Sequence, residues 1–203
     1  ETAAKRISAF FEWPYYSLQP SLAPHAVGFG DIRIGTKSLL YDCELFQLTF
    51  QFKTYILSGI PIKGLGTGHV SLEPSLILGV KLGPETYFQG QISEWIGLPP
   101  DPFYNGPVLQ FRGSLNKVLC WIVPNCPLIG TMEIQTFSFQ DGAYTDPYTG
   151  SYQKSSGQSY IYAGPGFRFF MCDRVDIGVG LSFSISDGHW AERIIRSEAR
   201  LRF

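Results

Sequence analysis

The sequence predicts an all-β chain, a transmembrane antiparallel up-and-down β-barrel of about ten strands in one domain covering residues 1–203. Three observations predict it. Segments of about ten residues alternate apolar and polar side chains with period two, the length a tilted strand needs to cross a hydrocarbon layer. The links between these segments are alternately long and short, like the outer loops and periplasmic turns of outer-membrane barrels. The chain also closes on a strand with Ile195, Ser197, Ala199, Leu201 and Phe203 on one face and Arg196, Glu198, Arg200 and Arg202 on the other. The last strand of a soluble sandwich alternates as well, so that class stays open on this segment alone.

Taken in order, the strands are expected at Thr2–Trp13, Phe29–Tyr41, Leu45–Ser58, Val70–Leu82, Tyr87–Leu98, Val108–Leu119, Leu128–Phe139, Ser159–Met171, Val175–Ser186 and the terminal run. The third sets Phe46, Leu48, Phe50, Phe52 and Ile56 against Gln47, Thr49, Gln51, Lys53 and Tyr55. The ninth is the most regular, with Val175, Ile177, Val179, Leu181, Phe183 and Ile185 opposed by Asp176, Gly178, Gly180, Ser182 and Ser184. Glu94 falls among the outward positions of its strand, which suggests a bulge there. Asp42–Glu44, Gly83–Thr86 and Cys172–Arg174 are tight links, while Pro14–Gly28, Gly59–His69, Pro99–Gly106 and Gln140–Gln158 are long. Lys117–Pro127 is a longish link on the short side. Both termini then fall on the periplasmic side. Aromatic residues such as Trp13, Tyr41, Trp95 and Trp121 gather near strand ends, where they suit interfacial girdles.

Composition narrows the classes. The 16 Lys+Arg and 17 Asp+Glu nearly balance, which argues against a nucleic-acid partner. Plentiful Gly (22) and Pro (14) suit many strands joined by turns. No apolar run reaches the length of a membrane-spanning helix, but a mean hydropathy of +0.02 is compatible with a barrel, whose apolar residues occupy alternate positions. No charged-then-apolar leader follows Glu1, so any signal peptide is expected to be already removed.

The terminal strand resembles the last strand of a bacterial outer-membrane barrel. That resemblance implies that Leu201 and Phe203 belong to the signal read by the barrel assembly machinery. A second resemblance is carried by Gly28-Phe29-Gly30-Asp31-Ile32-Arg33-Ile34-Gly35-Thr36-Lys37, by Ser58-Gly59-Ile60-Pro61 after the next strand, by Gly66-Thr67-Gly68 and by Leu72-Glu73-Pro74-Ser75-Leu76. These segments resemble the outer-membrane transporter family named after the meta-pathway of phenol degradation. Membership implies a Gram-negative outer-membrane location, lipid as the surroundings and a porin-like role toward a small solute. Barrels of that family usually have about twelve strands, so twelve is the upper expectation here.

Chemical motifs are sparse. Gly64-Leu65-Gly66-Thr67-Gly68 lacks the Lys-Ser/Thr pair and the following helix of a phosphate loop, and a mobile glycine loop is expected instead. His25, His69 and His189 lack metal-ligand spacing, and no nucleophile elbow is present. Asp141, Asp146 and Tyr148 lack the acidic density of a Ca²⁺ loop. Neither an enzyme nor a cofactor is expected. Cys43, Cys120, Cys126 and Cys172 all fall at expected periplasmic ends, and the Cys120–Cys126 spacing can close a small disulfide loop in that compartment.

The polar parity of the strands supplies the functional clue. It places Arg33, Lys37, Lys53, Lys81, Arg112, Arg168, Arg196, Arg200 and Arg202 inside, against Asp31, Glu73, Glu133, Asp176 and Glu198. A net basic lumen favours anionic solutes along an open path. The same side chains can instead interlock and fill a narrow interior. The expected function is therefore an outer-membrane channel or transporter for small solutes. A closed structural or adhesion barrel, with a partner on its long loops, and a soluble β-sandwich binding module are the alternatives.

Overall fold

The computed structural model describes residues 6–19, 24–98, 106–123, 126–145, 151–171, 175–187 and 191–201. In chain order the strands are β1 (Ile7–Glu12), β2 (Tyr15–Leu18), β3 (Ala26–Phe29), β4 (Ile32–Asp42), β5 (Phe46–Ile56), β6 (Val70–Gly83) and β7 (Thr86–Leu98). They continue as β8 (Val108–Val123), β9 (Cys126–Phe139), β10 (Ala143–Thr145), β11 (Tyr152–Lys154), β12 (Ser159–Met171), β13 (Val175–Ser184) and β14 (Arg193–Leu201). Ten of them form one sheet in the order β1-β4-β5-β6-β7-β8-β9-β12-β13-β14, with each strand antiparallel to its neighbour. The sheet is all-β, up-and-down and strongly curled into a half-barrel, with β1 and β14 as its two edges.

Two of the long links carry small hairpins of their own, β2–β3 and β10–β11. Phe29 belongs to the first of these and not to the wall strand, which starts at Ile32. The break falls at Gly30-Asp31, where the Gly30 amide bonds back to the Pro14 carbonyl at 2.9 Å. The expected link at Lys117–Pro127 is mostly strand. Pairing continues through register shifts at Val118/Cys120 and Trp121/Val123, so β8 and β9 run on to Val123 and Cys126. No bulge marks Glu94. It pairs in unbroken register with Leu109 and stays exposed on the outer face, near the long-link end of β8. The other register shifts lie at Leu39/Tyr41 and Lys81/Gly83, next to tight turns.

The two faces of the sheet differ in polarity, with the apolar side chains on the more exposed one. On the convex face Phe50, Leu76, Val179 and Phe183 are 37–50% exposed. On the concave face Gln51, Glu73, Asp176 and Ser182 are at most 6% exposed. Phe46, Leu48, Phe52, Leu78 and Leu181 share the convex parity. Curling a sheet crowds the inner side chains together and spreads the outer ones, so the polar set packs while the apolar set faces outward.

Candidate functional site

The concave face divides into two walls of different charge. On β9, β12, β13 and β14 the side chains form one ionic network. Arg168 bonds to Asp176 and, at 2.9 Å, to Glu198. Arg196 reaches Glu133 at 2.6 Å and Glu198 at 2.9 Å, and Arg200 reaches Glu198 at 2.6 Å. Among the described residues three arginines thus face three carboxylates, and this part of the wall is neutral. Glycine makes room for it, because Gly178 of β13 lies under the Arg168 guanidinium.

The opposite wall, β4 to β8, carries Arg33, Lys37, Lys53, Lys81 and Arg112 against Glu73. Lys53 meets Glu73 at 3.4 Å, and Tyr55 donates its hydroxyl to the same carboxylate oxygen. Arg33 donates to the Tyr16 hydroxyl, lies 5.1 Å from the centre of the Tyr55 ring and pairs with Glu12 at 3.5 Å. Lys37 lies 5.3 Å from the Phe10 ring centre. Arg112 hydrogen-bonds to Gln110 at 2.8 Å, with no carboxylate at ion-pair distance among the described residues. Lys81 is exposed toward the short links. Among the described residues, several buried polar atoms on this wall have no partner: Ser71 Oγ, Gln91 Nε2 and the Nε atoms of Arg33 and Arg112. Such groups are rare in a packed interior.

The chain matches no family model, and no curated protein matches its sequence.

At the rim, Asp31 is not the lumen counter-charge its parity suggested. Its carboxylate accepts the amides of Ser58 (3.2 Å), Gly59 (3.0 Å) and Thr67 (2.8 Å) and the Thr67 hydroxyl (3.0 Å). Burial alone would raise its pKa, but the backbone donors from Thr67, Gly59 and Ser58 and the Thr67 hydroxyl bring it below the ordinary carboxylate value. The glycine loop is therefore tied to the rim by hydrogen bonds. A 3-10 turn at Pro61–Lys63 ends at Gly64 with φ 71°, Leu65 is buried at 2% exposure, and a Cβ on Gly66 would stand 2.7 Å from the Asp31 carboxylate.

The cysteine expectation is corrected. Cys120 and Cys126 are free, the first exposed and the second buried, because paired strands occupy the segment expected to close into a loop. Cys120 stands opposite Leu128 and Cys126 opposite Val123, so neither faces the other. Cys43 is also free and exposed. Leu201 ends β14 exposed on the convex face. Phe203, Arg202, Cys172, His189, Asp146 and Tyr148 lie outside the described residues. The uncharged members of the basic wall, Ser71, Gln91, Ser93 and Gln110, had only one signal in the sequence, which was inward parity.

Proposed function

We propose that the chain is an outer-membrane β-barrel channel or transporter for small solutes, with anion preference set by the β4–β8 wall. The single observation that carries this reading is the inverted sheet, with apolar side chains outside and a buried ionic and amide lining inside. Water offers a convex face of Phe, Leu and Val nothing, whereas hydrocarbon offers the concave ions nothing; a bilayer with an aqueous interior accommodates both. A soluble β-sandwich would bury the apolar parity between two sheets.

The asymmetry of charge supports anion preference. On one wall the arginines are neutralised by Glu133, Asp176 and Glu198, while on the other the five cations outnumber Glu73 and the Glu12 that pairs with Arg33. A spanning position also requires that the free backbone groups of β1 and β14 be paired, with each other or with further strands, because open sheet edges do not persist in lipid. Folding into lipid vesicles followed by reversal potentials in a salt gradient tests the proposal. Partition into lipid and anion-selective current are expected. Protein that remains in the aqueous fraction overturns it, and membrane insertion without conductance favours a closed barrel acting through its loops.

A further inference from the structure

The ten-stranded sheet curls through half a barrel and stops, and among the described residues β1 and β14 each have a neighbour on one side only. The charged lining is unfinished at the same two places. In mid-sheet the side chains of Lys53, Glu73 and Asp176 are at most 4% exposed, whereas Glu12 on β1 is 45% exposed. On β14, Arg196 and Arg200 are 39% and 54% exposed. The lining thus ends on a carboxylate at one edge and on arginines at the other.

The two edges match in direction, level and face. Each strand is antiparallel to its neighbour, so β1 and β14, first and last of ten, run in opposite directions. Ile7 and Leu201 both stand at the short-link end, the first level with Ser38 and the second with Val175. Setting these two opposite each other brings Ala9 opposite Ala199 and Glu12 opposite Arg196. Glu12 and Arg196 then share the concave face, since they pair with Arg33 and Gly180 within the sheet. Ile7, Phe11, Ile195 and Leu201 are 61–72% exposed on the convex face, so the apolar band runs on across the junction.

Resting on the membrane-spanning reading above, we propose that two copies of this chain close one twenty-stranded barrel, with β14 of each copy against β1 of the other. A two-fold axis along the centre of the barrel relates the copies and makes the two seams identical. Both seams are antiparallel like the rest of the wall, each brings Glu12 to Arg196, and no edge is left in lipid. Barrels of about eight strands are filled by side chains, whereas about sixteen or more leave a water channel. The second copy therefore supplies the other half of the lumen and holds it open.

Light scattering of the full chain folded in detergent tests this without any substitution. The expected protein mass is twice that of the 22.7 kDa chain, and any copy number other than two overturns the proposal. Cross-linking then locates the seam. Two variants in which serine replaces the four natural cysteines, one carrying Ala9→Cys and the other Ala199→Cys, are folded together and treated with a short bis-maleimide. A linked pair of chains is expected from the mixture and none from either variant alone. A two-copy mass with no linked pair overturns the seam. A chain carrying both substitutions that links only within itself has closed β14 on its own β1, which overturns the proposal as well. The channel reading fails separately: linked pairs that pass no current would remove the channel while leaving the two-copy barrel, and single copies that conduct would do the reverse.

Discussion

Lys53 of β5 and Glu73 of β6 are direct cross-strand partners whose charges meet at 3.4 Å on the concave face, with side chains only 4% and 0% exposed. Phe52 and Leu72, their chain neighbours, have the opposite parity. An ion pair this deep is costly to break, because removing one partner leaves the other charge buried. Lys53→Met should therefore lower folding stability by about 3 kcal/mol or more, and adding Glu73→Gln should recover much of the loss. Denaturant unfolding in lipid vesicles measures both. Additive losses in the double variant would mean that the pair is not coupled.

A charge placed on the convex face should be expelled by lipid. Leu48→Arg and Val179→Arg should each cost roughly 2–4 kcal/mol and impair insertion. The proper control is Gln89→Arg, since Gln89 is exposed on the concave face over open space. Gln51 is a poor control, being 5% exposed and bonded to Ser75. Equal tolerance on the two faces, read from folding yield into vesicles, would contradict a lipid-facing convex surface.

The two walls should respond differently to charge reversal. Arg112→Glu acts where cations are in excess and should shift the reversal potential toward cations. Arg168→Glu breaks the network with Asp176 and Glu198 and should mainly lower the unfolding midpoint. Losing two charged hydrogen bonds there should cost about 2–3 kcal/mol or more. Similar effects from both substitutions would show that the walls are not distinct.

The Asp31 clasp predicts a pH response of definite sign. Its folded-state pKa is lowered, so its contribution is fully present above the ordinary carboxylate range and is lost as pH falls through the folded value. Between about pH 5 and 8 the glycine loop should stay closed, and in stronger acid the Gly59 and Thr67 amides should exchange faster. Asp31→Asn should reproduce the acid behaviour at neutral pH, with a loss of about 2 kcal/mol. Amide exchange followed by NMR gives the answer. A loop equally protected in Asp31→Asn would show that other contacts hold it.

If the chain spans a membrane, the outer-edge amides of β14, those not bonded to β13, should be protected in lipid as well as those that are. Hydrogen exchange over Ile195–Ala199 measures this. Fast exchange on every second residue would leave β14 an open edge and exclude a closed barrel.

What the sequence determined by itself was the wall: ten strands, their antiparallel order, the alternation of link lengths and the face of the side chains within the strands. These follow from a period-two pattern that any short window displays, as in Val175–Phe183, and the register then follows from tight turns such as Gly83–Thr86. Local pattern misled where it weakened. Lys117–Pro127 looked like a link because Cys120, Trp121 and Ile122 break the alternation, yet β9 pairs with this stretch through two register shifts. Only the tertiary structure decided which charges meet. Inward parity gave one list of basic residues, but Arg196 and Glu133 meet although 63 positions apart, and Asp31 clasps Thr67 from 36 positions away. Parity fixes the face of a residue, whereas curvature and strand order fix its neighbours. The division into a neutral and a basic wall arises from those long-range neighbours, which no local window contains.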